Sequence, residues 1–144
     1  MVQDKLGRII LLTNETKNNV IIYDKSGKLV SSWGHEYPGA HGLTLFNENG
    51  DDVLFICDNN RHQVIKTTVD GKVLMTLDYP KETGQYTKAD EYVPTETIIA
   101  PNGDIYVADG YGKDFVIQYD HKGNYIRHFA GRGEGDKYVV NTHG

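Results

Sequence analysis

The sequence predicts an all-β protein built from β-propeller blades, because a unit of about 45 residues recurs three times and each copy reads as a set of short strands. Each copy consists of a glycine, an apolar run, a polar segment, a second apolar run, a tight turn with glycine and a third apolar run. The turn glycines Gly27, Gly71 and Gly123 are spaced by 44 and then 52 residues. The three copies run over Gly7–Gly34, Gly50–Leu77 and Gly103–Gly131.

The apolar runs have the length and composition of strands. They are short, rich in β-branched and aromatic residues, and bounded by Gly, Asn or Asp, and no segment carries a helical stripe of apolar residues. Asp-x-x-Gly and Val-Asp-Gly sequences between runs indicate hairpin turns in which glycine adopts a positive φ. The runs are Ile9–Leu12, Val20–Tyr23, Val53–Ile56, Val64–Ile65, Ile105–Val107 and Phe115–Tyr119.

We interpret these units as about three four-stranded antiparallel blades of the NHL type, belonging to a six-bladed ring. A first blade at about 1–34 lacks most of its inner strand, and complete blades are expected at about 40–78 and 92–131. A fourth blade is expected to open at 137–144. A helical solenoid of similar period would need two amphipathic helices in each repeat, and the chain has none.

Three blades leave open sheet edges, since single-chain propellers close with about four to eight blades. Two arrangements would cover the edges. In the first, the sequence is part of a longer propeller. In the second, two copies close one ring as a homo-oligomer, and residues 137–143 supply the inner strand that the first blade lacks. The first arrangement is simpler, and we favour it.

Composition excludes several classes of function. The chain has 144 residues, of which 38% are hydrophobic and 24% charged, with a formal net charge of −5 and no basic stripe, so we expect no nucleic-acid partner. No apolar stretch is long enough to span a membrane. Cys57 is the only cysteine, which excludes a disulfide within the chain. The first residues lack the apolar core of a signal peptide, so the compartment stays unknown.

Two histidines occupy the same blade position. His41 and His143 each open an inner strand and precede a glycine, while the corresponding residue of the blade between them is Thr95. In a six-bladed ring, histidines at this position on alternate blades would converge on the central channel. Three neutral imidazoles with an open fourth position hold a substrate-facing zinc ion. The alternative is that each His-Gly pair only turns the chain into its strand.

The chain resembles the NHL-repeat propellers, and among them the peptidyl-α-hydroxyglycine α-amidating lyases and their bacterial relatives. The resemblance covers almost the whole chain, although only about half of a propeller. The pairing of His-Gly-Leu with Asp-Gly-Tyr is its most specific part. The matching stretches are Gly39–Leu43, Asp58–Val64, Ile105–Tyr111 and Asn141–Gly144.

The resemblance implies a function for four residues. Lyases of this group split a peptidyl-α-hydroxyglycine into a peptide amide and glyoxylate, with a zinc ion held by three histidines and a structural calcium ion. By this resemblance His41 and His143 would be zinc ligands, the carbonyl of Leu43 a calcium ligand and Tyr111 the catalytic residue. The substrate would be peptide-like. A metal ion that polarises a hydroxyl beside a tyrosine suits the collapse of a hemiaminal.

The chain departs from the family pattern at three places. Thr13 and Asn14 stand where the family has a catalytic arginine, and Asn supplies neither its charge nor its forked donors. Gly112 stands where many relatives have a cysteine. The third histidine and an acidic calcium ligand would lie beyond Gly144. We therefore expect no lyase activity from this chain alone.

Several other polar residues have structural interpretations. Asp58, Asp109 and Thr13 close the second strand of each blade, where acids usually accept hydrogen bonds from turn amides. The segment 78–91 is the longest irregular insert and is a candidate lid or rim. The second interpretation of the chain is a propeller scaffold without catalysis, which binds a peptide, a glycan or a protein partner; fold alone does not distinguish the two.

Overall fold

The computed structural model describes residues 1–143 and contains three four-stranded antiparallel sheets, each with its strands in chain order. The first sheet consists of β1 (Val2–Gln3), β2 (Ile9–Leu12), β3 (Val20–Tyr23) and β4 (Leu29–Trp33). The second consists of β5 (Ala40–Glu48), β6 (Asp51–Asp58), β7 (Gln63–Thr68) and β8 (Val73–Leu77). The third consists of β9 (Glu96–Ile99), β10 (Ile105–Ala108), β11 (Phe115–Tyr119) and β12 (Tyr125–Ala130).

The hairpin between the third and fourth strands repeats in all three sheets. Gly27, Gly71 and Gly123 have φ values of +83°, +92° and +86°, as the turn sequences predicted. The pairing register shifts by one residue just before each turn, after Ile22, Lys66 and Gln118. These shared irregularities identify the sheets as copies of one structural unit. The prediction of three four-stranded antiparallel propeller blades is thus confirmed.

The first strands of the sheets lie side by side and bring the blades together. β5 contacts β1 and β2 on one side and β9 on the other. One hydrophobic core fills the space between the first and second sheets, around Ile10, Ile22 and Ile56. A second core fills the space between the second and third sheets and includes the buried Cys57. These contacts and the two cores hold the first strands of the three blades next to one another, in chain order.

The segment between β8 and β9 is fixed to the core by a few buried side chains. It contains two single-turn 3-10 helices, Lys81–Thr83 and Ala89–Glu91. Tyr86 is 6% exposed, and its ring packs edge-on against Tyr92 at a centroid distance of 5.6 Å. The polar composition of the segment suggested a lid or rim. Tyr86 and Tyr92 fix it to the core of the third sheet, while most of its polar residues stay exposed, so a rim remains the interpretation consistent with the structure.

Residues 132–143 form turns and bends. Residues 137–143 pair with no strand among residues 1–143. A fourth blade that opens at 137–144 stays a prediction. Gly144 lies outside the described residues. The two 3-10 helices are the only helices in residues 1–143, so the described part of the chain contains no helix that spans a membrane.

The third sheet presents a partly exposed apolar face, bordered by Thr142 and His143 of the C-terminal segment. Ile98 and Phe129 are 65% and 45% exposed, and Tyr106 and Val116 line the same groove. In a propeller such a face packs against a neighbouring blade. This face is where association with further sheet, from a longer chain or a second copy, is expected.

A buried tyrosine gives the fold a testable dependence on alkaline pH. Tyr37 is 1% exposed, and burial together with the neighbouring Glu36 carboxylate raises its pKa to about 12. The unfolded chain releases this proton near pH 10, so Tyr37 favours folding below pH 10 and this contribution is lost as the pH rises through 12.

We expect Tyr37→Phe to reduce the fall in unfolding free energy between pH 10 and 12 by about 1 kcal/mol per pH unit. Urea denaturation at several alkaline pH values measures this slope. Tyr23→Phe, at a less buried tyrosine, is the control and should leave the slope close to that of the wild type. Equal slopes for wild type and Tyr37→Phe would show that Tyr37 ionises normally in the folded protein.

Candidate functional site

His41 is directed out of the second sheet by a β-bulge. In the pairing of β5 with β6, Ala40 lies opposite Asp58 and Gly42 opposite Cys57, so His41 is the extra residue of β5. Bulges of this kind redirect a side chain and are frequent beside functional sites. The imidazole is exposed, and its Nδ1 lies 3.1 Å from the backbone carbonyl oxygen of Thr95 on the third sheet.

Tyr111 lies in the turn that follows β10, and its side chain is 48% exposed. The buried carboxylate of Asp109 shapes this turn. One Asp109 oxygen accepts a hydrogen bond from the amide of Val93 at 2.6 Å, and the other accepts from the amide of Lys113 at 2.6 Å. The same oxygen also accepts from the hydroxyl of Tyr86 at 2.6 Å. The hydrogen bonds to the buried Asp109 carboxylate therefore fix the turn that exposes Tyr111 to solvent.

Burial and hydrogen bonding act in opposite directions on Asp109. Burial raises the pKa of its carboxyl group, and the hydrogen bonds from Tyr86, Lys113 and Val93 partly offset that rise. Burial and the neighbouring Asp109 carboxylate raise the pKa of Tyr86 far above its ordinary value, so Tyr86 acts as a hydrogen-bond donor at neutral pH. The pair supports the turn, and both side chains are buried.

His143 is carried by a segment without regular structure that is attached to the third sheet. Asp114 is fully buried, and its carboxylate accepts hydrogen bonds from the amide of Asn141 and from Nε of Arg132, each at 2.7 Å. The amide of Val139 donates to the carbonyl oxygen of Gly131 at 3.1 Å. These contacts return the chain to the inner end of the third sheet, where the exposed ring of His143 lies.

The rings of His41, Tyr111 and His143 form one cluster at the inner ends of the second and third sheets. The centroid distances are 5.2 Å for His41 and Tyr111, 4.7 Å for Tyr111 and His143, and 5.8 Å for the two histidines. The tyrosine ring stands edge-on to both imidazoles. Residues separated by up to 102 positions in the sequence thus meet at one exposed place.

The hydrogen bonds of the two histidines define which nitrogen of each ring is available. Nδ1 of His41 meets the carbonyl oxygen of Thr95, and Nδ1 of His143 meets the carbonyl oxygen of Asn141 at 2.6 Å. A carbonyl oxygen only accepts, so Nδ1 carries the proton in each neutral ring and Nε2 keeps its lone pair. Metal-binding histidines commonly hold their second nitrogen in this way.

The donor set fits a zinc ion in part. Two imidazoles bound through Nε2 to a tetrahedral zinc have ring centroids roughly 5 Å apart, because the zinc–nitrogen distance is about 2 Å. The observed 5.8 Å is within an ångström of that value. No group of three or more His, Cys, Asp or Glu side chains suited to a metal occurs within residues 1–143. The described residues therefore place two imidazoles at this cluster, one fewer than the three protein ligands typical of a catalytic zinc.

Leu43, expected to offer its carbonyl oxygen to calcium, lies on β5 two residues after His41. Its side chain is 8% exposed and belongs to the core between the first and second sheets. It is not part of the ring cluster formed by His41, Tyr111 and His143. A calcium ion at this carbonyl stays a prediction.

The acids that close the second strands accept hydrogen bonds from turn amides, as expected. One Asp58 oxygen accepts from the amides of Gly39, Asn60 and Arg61 at 2.9–3.1 Å. In the first sheet the hydroxyl of Thr13 accepts one turn amide, that of Glu15. The buried side chain of Asn19 adds further hydrogen bonds there, donating to the carbonyl of Thr13 and pairing with the backbone of Tyr37. No sequence pattern distinguished Asn19 from other loop asparagines.

The positions that depart from the lyase pattern have local explanations. Thr13 accepts a hydrogen bond from the amide of Glu15, and the exposed Asn14 lies in the same turn. At Gly112 a β-carbon would lie 2.1 Å from a carboxylate oxygen of Asp109 and 2.5 Å from the carbonyl oxygen of Glu91. A cysteine there would displace the buried carboxylate, so this turn requires glycine.

Comparison with curated sequences identifies relatives over most of the chain. The chain is 33% identical over 116 residues to a probable peptidyl-alpha-hydroxyglycine alpha-amidating lyase of Caenorhabditis elegans, a match that covers 79% of this chain and 31% of the relative. It is 33% identical over 105 residues to peptidyl-alpha-hydroxyglycine alpha-amidating lyase 1 of Drosophila melanogaster, covering 70% and 18%. The chain spans less than a third of the length of either relative. No family model matches the sequence.

Comparison with solved structures identifies the same architecture in bacterial lyases. Virginiamycin B lyase from Staphylococcus aureus in complex with quinupristin superposes with a TM-score of 0.65 at 15% identity, covering 89% of this chain and 39% of that chain. A streptogramin B lyase gives 0.64 at 15% identity, covering 94% and 41%. At this identity the likeness concerns the fold alone. The resemblance to amidating lyases is confirmed by sequence and the β-propeller fold by structure.

The buried carboxylate of Asp109 gives a test of how the turn carrying Tyr111 is held. In Asp109→Asn an NH2 group replaces one carboxylate oxygen. This NH2 group must face at least one of the donors that were hydrogen-bonded to that oxygen. We expect a loss of about 1–3 kcal/mol of unfolding free energy, the cost of leaving a buried donor without a partner. Urea denaturation at neutral pH measures it.

The matched control for that variant is Asp120→Asn, which changes a half-buried turn carboxylate that also accepts two backbone amides. We expect its effect to stay within about 0.5 kcal/mol, as for most surface substitutions. Equal losses in the two variants would mean that burial of Asp109 adds nothing to the stability of the turn.

Proposed function

We propose that this chain carries part of a metal-dependent lyase site, in which His41 and His143 bind a zinc ion through Nε2 and Tyr111 serves as the acid–base residue. The substrate class is a peptide with a C-terminal α-hydroxyglycine, as the names of the sequence relatives indicate for those proteins. The activity belongs to an assembly that supplies further residues, because a catalytic zinc usually has three protein ligands.

The observation that carries this proposal is the convergence of two histidines and a tyrosine at 4.7–5.8 Å, with the proton of each imidazole held on Nδ1 by a backbone carbonyl. A pair of histidines that only turned the chain into its strand would have no reason to lie together with oriented rings. All three side chains are exposed, so a ligand reaches them without a conformational change.

Each residue has a distinct part in the proposed chemistry. A zinc ion, when bound, acts as a Lewis acid toward a substrate hydroxyl. Tyr111 stands beside both imidazoles and is suited to relay a proton, giving its phenolic proton to the leaving amide nitrogen and taking up the hydroxyl proton, directly or through one water. The carbon–oxygen double bond of glyoxylate would form as the carbon–nitrogen bond breaks, and the electron pair of that bond would stay on the nitrogen. The two backbone carbonyls keep the imidazoles in one tautomer and one orientation.

The chain by itself supplies neither a complete calcium site nor the arginine of the lyase pattern. The carbonyl oxygen of Leu43 is proposed as one ligand of a structural calcium ion, which needs six to eight oxygens in all. Thr13 and Asn14 follow β2, at the place where the lyase pattern has an arginine. We therefore expect the isolated chain to bind zinc weakly and to turn over no substrate.

The zinc proposal is tested by exchanging histidines. We expect His41→Ala/His143→Ala to lose zinc binding in calorimetric titration, because both proposed ligands are removed. The matched control, His35→Ala/His121→Ala, removes two exposed histidines outside the cluster and should bind zinc as the wild type does.

Equal zinc binding by the two double variants would contradict the proposed site. That outcome would favour the second interpretation, a propeller scaffold that recognises a peptide, glycan or protein partner without a metal. Tyr111→Phe serves as a third variant: it should retain zinc binding, since the phenol is assigned to proton transfer and not to the metal.

A further inference from the structure

We infer that Thr95 is a positioning residue that holds His143 beside His41. Thr95 occupies the position in the third sheet that corresponds to His41 in the second. The claim that Thr95 prepares a zinc site rests on the proposed function. The claim that Thr95 positions His143 does not rest on it, since the contacts involve only this chain. Thr95 is 1% exposed and directly precedes β9.

The backbone of Thr95 is fixed on the third sheet and reaches the second. Its amide donates to the carbonyl oxygen of Ala108, the last residue of β10, at 2.8 Å. Its carbonyl oxygen accepts the Nδ1 proton of His41 at 3.1 Å. This contact depends on the main chain alone, so it should survive a change of the Thr95 side chain.

The side chain of Thr95 reaches the segment that carries His143. Its hydroxyl lies 2.6 Å from the carbonyl oxygen of Thr142 and 3.2 Å from that of Ala108. A hydroxyl has one proton, and the shorter contact, to Thr142, is the better hydrogen bond. The residue next to His143 is thereby tied to the third sheet.

The space around this contact leaves no room for the segment to shift inward. A β-carbon on Gly110 would lie 1.9 Å from the carbonyl oxygen of Thr142 and 2.7 Å from the Thr95 hydroxyl. Gly110 thus permits Thr142 to approach, and it also precedes Tyr111. The amide of Asn141 donates separately to the Asp114 carboxylate. Of the two contacts, the hydrogen bond from the Thr95 hydroxyl to Thr142 is the nearer in sequence to His143.

The two histidines should consequently respond differently to loss of the hydroxyl. Thr95→Val keeps the shape of the side chain and the carbonyl that holds His41, but it releases Thr142. We expect His143 to lose its fixed Nδ1-protonated tautomer while His41 retains it. Long-range proton–nitrogen NMR spectra of the metal-free protein report both tautomers.

Two further variants separate positioning from simple stabilisation. Thr95→Ser restores the hydroxyl and should return the His143 signal to that of the wild type. Thr97→Val removes another buried hydroxyl two residues further on, in β9, one that contacts Thr44 and neither histidine. It should leave both tautomers unchanged.

Zinc titration gives the second readout. We expect Thr95→Val to weaken binding of zinc alone about tenfold, as changes behind metal ligands commonly do, and Thr95→Ser and Thr97→Val to bind nearly as the wild type. If the wild type binds no zinc, the proposed function fails, and the metal-free spectra still decide whether Thr95 positions His143.

The inference is overturned if Thr95→Val and Thr97→Val disturb His143 equally, or if Thr95→Ser fails to restore it. Should Thr95→Val not fold, the wild-type protein decides the matter. The Thr95 hydroxyl proton should then be observed as slowly exchanging and close to the α-proton of Thr142. A rapidly exchanging proton would equally overturn the inference.

Discussion

The approach of β5 to β9 is the contact on which the rest of the site depends. A β-carbon on Gly42 would lie 2.3 Å from the carbonyl oxygen of Thr95, so the second and third sheets meet at backbone distance. Two residues further on, the hydroxyl of Thr44 donates to the carbonyl oxygen of Thr97 at 2.7 Å. A side chain at position 42 would separate these strands and remove His41 from the carbonyl that orients it.

Buried polar groups then transmit this arrangement to the exposed residues. Asp109 and Asp114 have no exposed surface, and each accepts hydrogen bonds from main-chain amides of a neighbouring turn. The first shapes the turn of Tyr111 and the second returns the chain toward His143. Burying a carboxylate costs free energy unless donors surround it, so these acids are confined to places where several donors converge. The exposed side chains of Tyr111 and His143 lie on the segments that these carboxylates fix.

Much of the fold followed from the sequence because its signals are local. Strand runs, turn glycines and the repeat spacing depend on neighbouring residues, and they predicted the three sheets closely. The shared blade position of His41 and His143, and the Asp-Gly-Tyr sequence before Tyr111, pointed to the residues that the structure brings together. A repeat converts a local pattern into a spatial one, since equal positions in successive blades face the same axis.

The contacts between sheets could not be predicted in this way. Thr95 marked only the blade without a histidine, and its contact with Thr142 joins residues 47 positions apart through a loop of no regular structure. Tyr86 lies in a polar insert whose composition suggested a lid, yet its hydroxyl supports Asp109 from within the core. Such contacts depend on how sheets pack, for which neither spacing nor composition carries a signal.

X-ray absorption at the zinc edge of the zinc-loaded wild-type protein tests the central claim most directly, that the inner ends of two blades hold two imidazoles for one metal ion. The account predicts nitrogen ligands at about 2.0–2.1 Å, with the outer-shell scattering of two imidazole rings per zinc. A first shell of oxygen ligands only, without imidazole scattering, would contradict it.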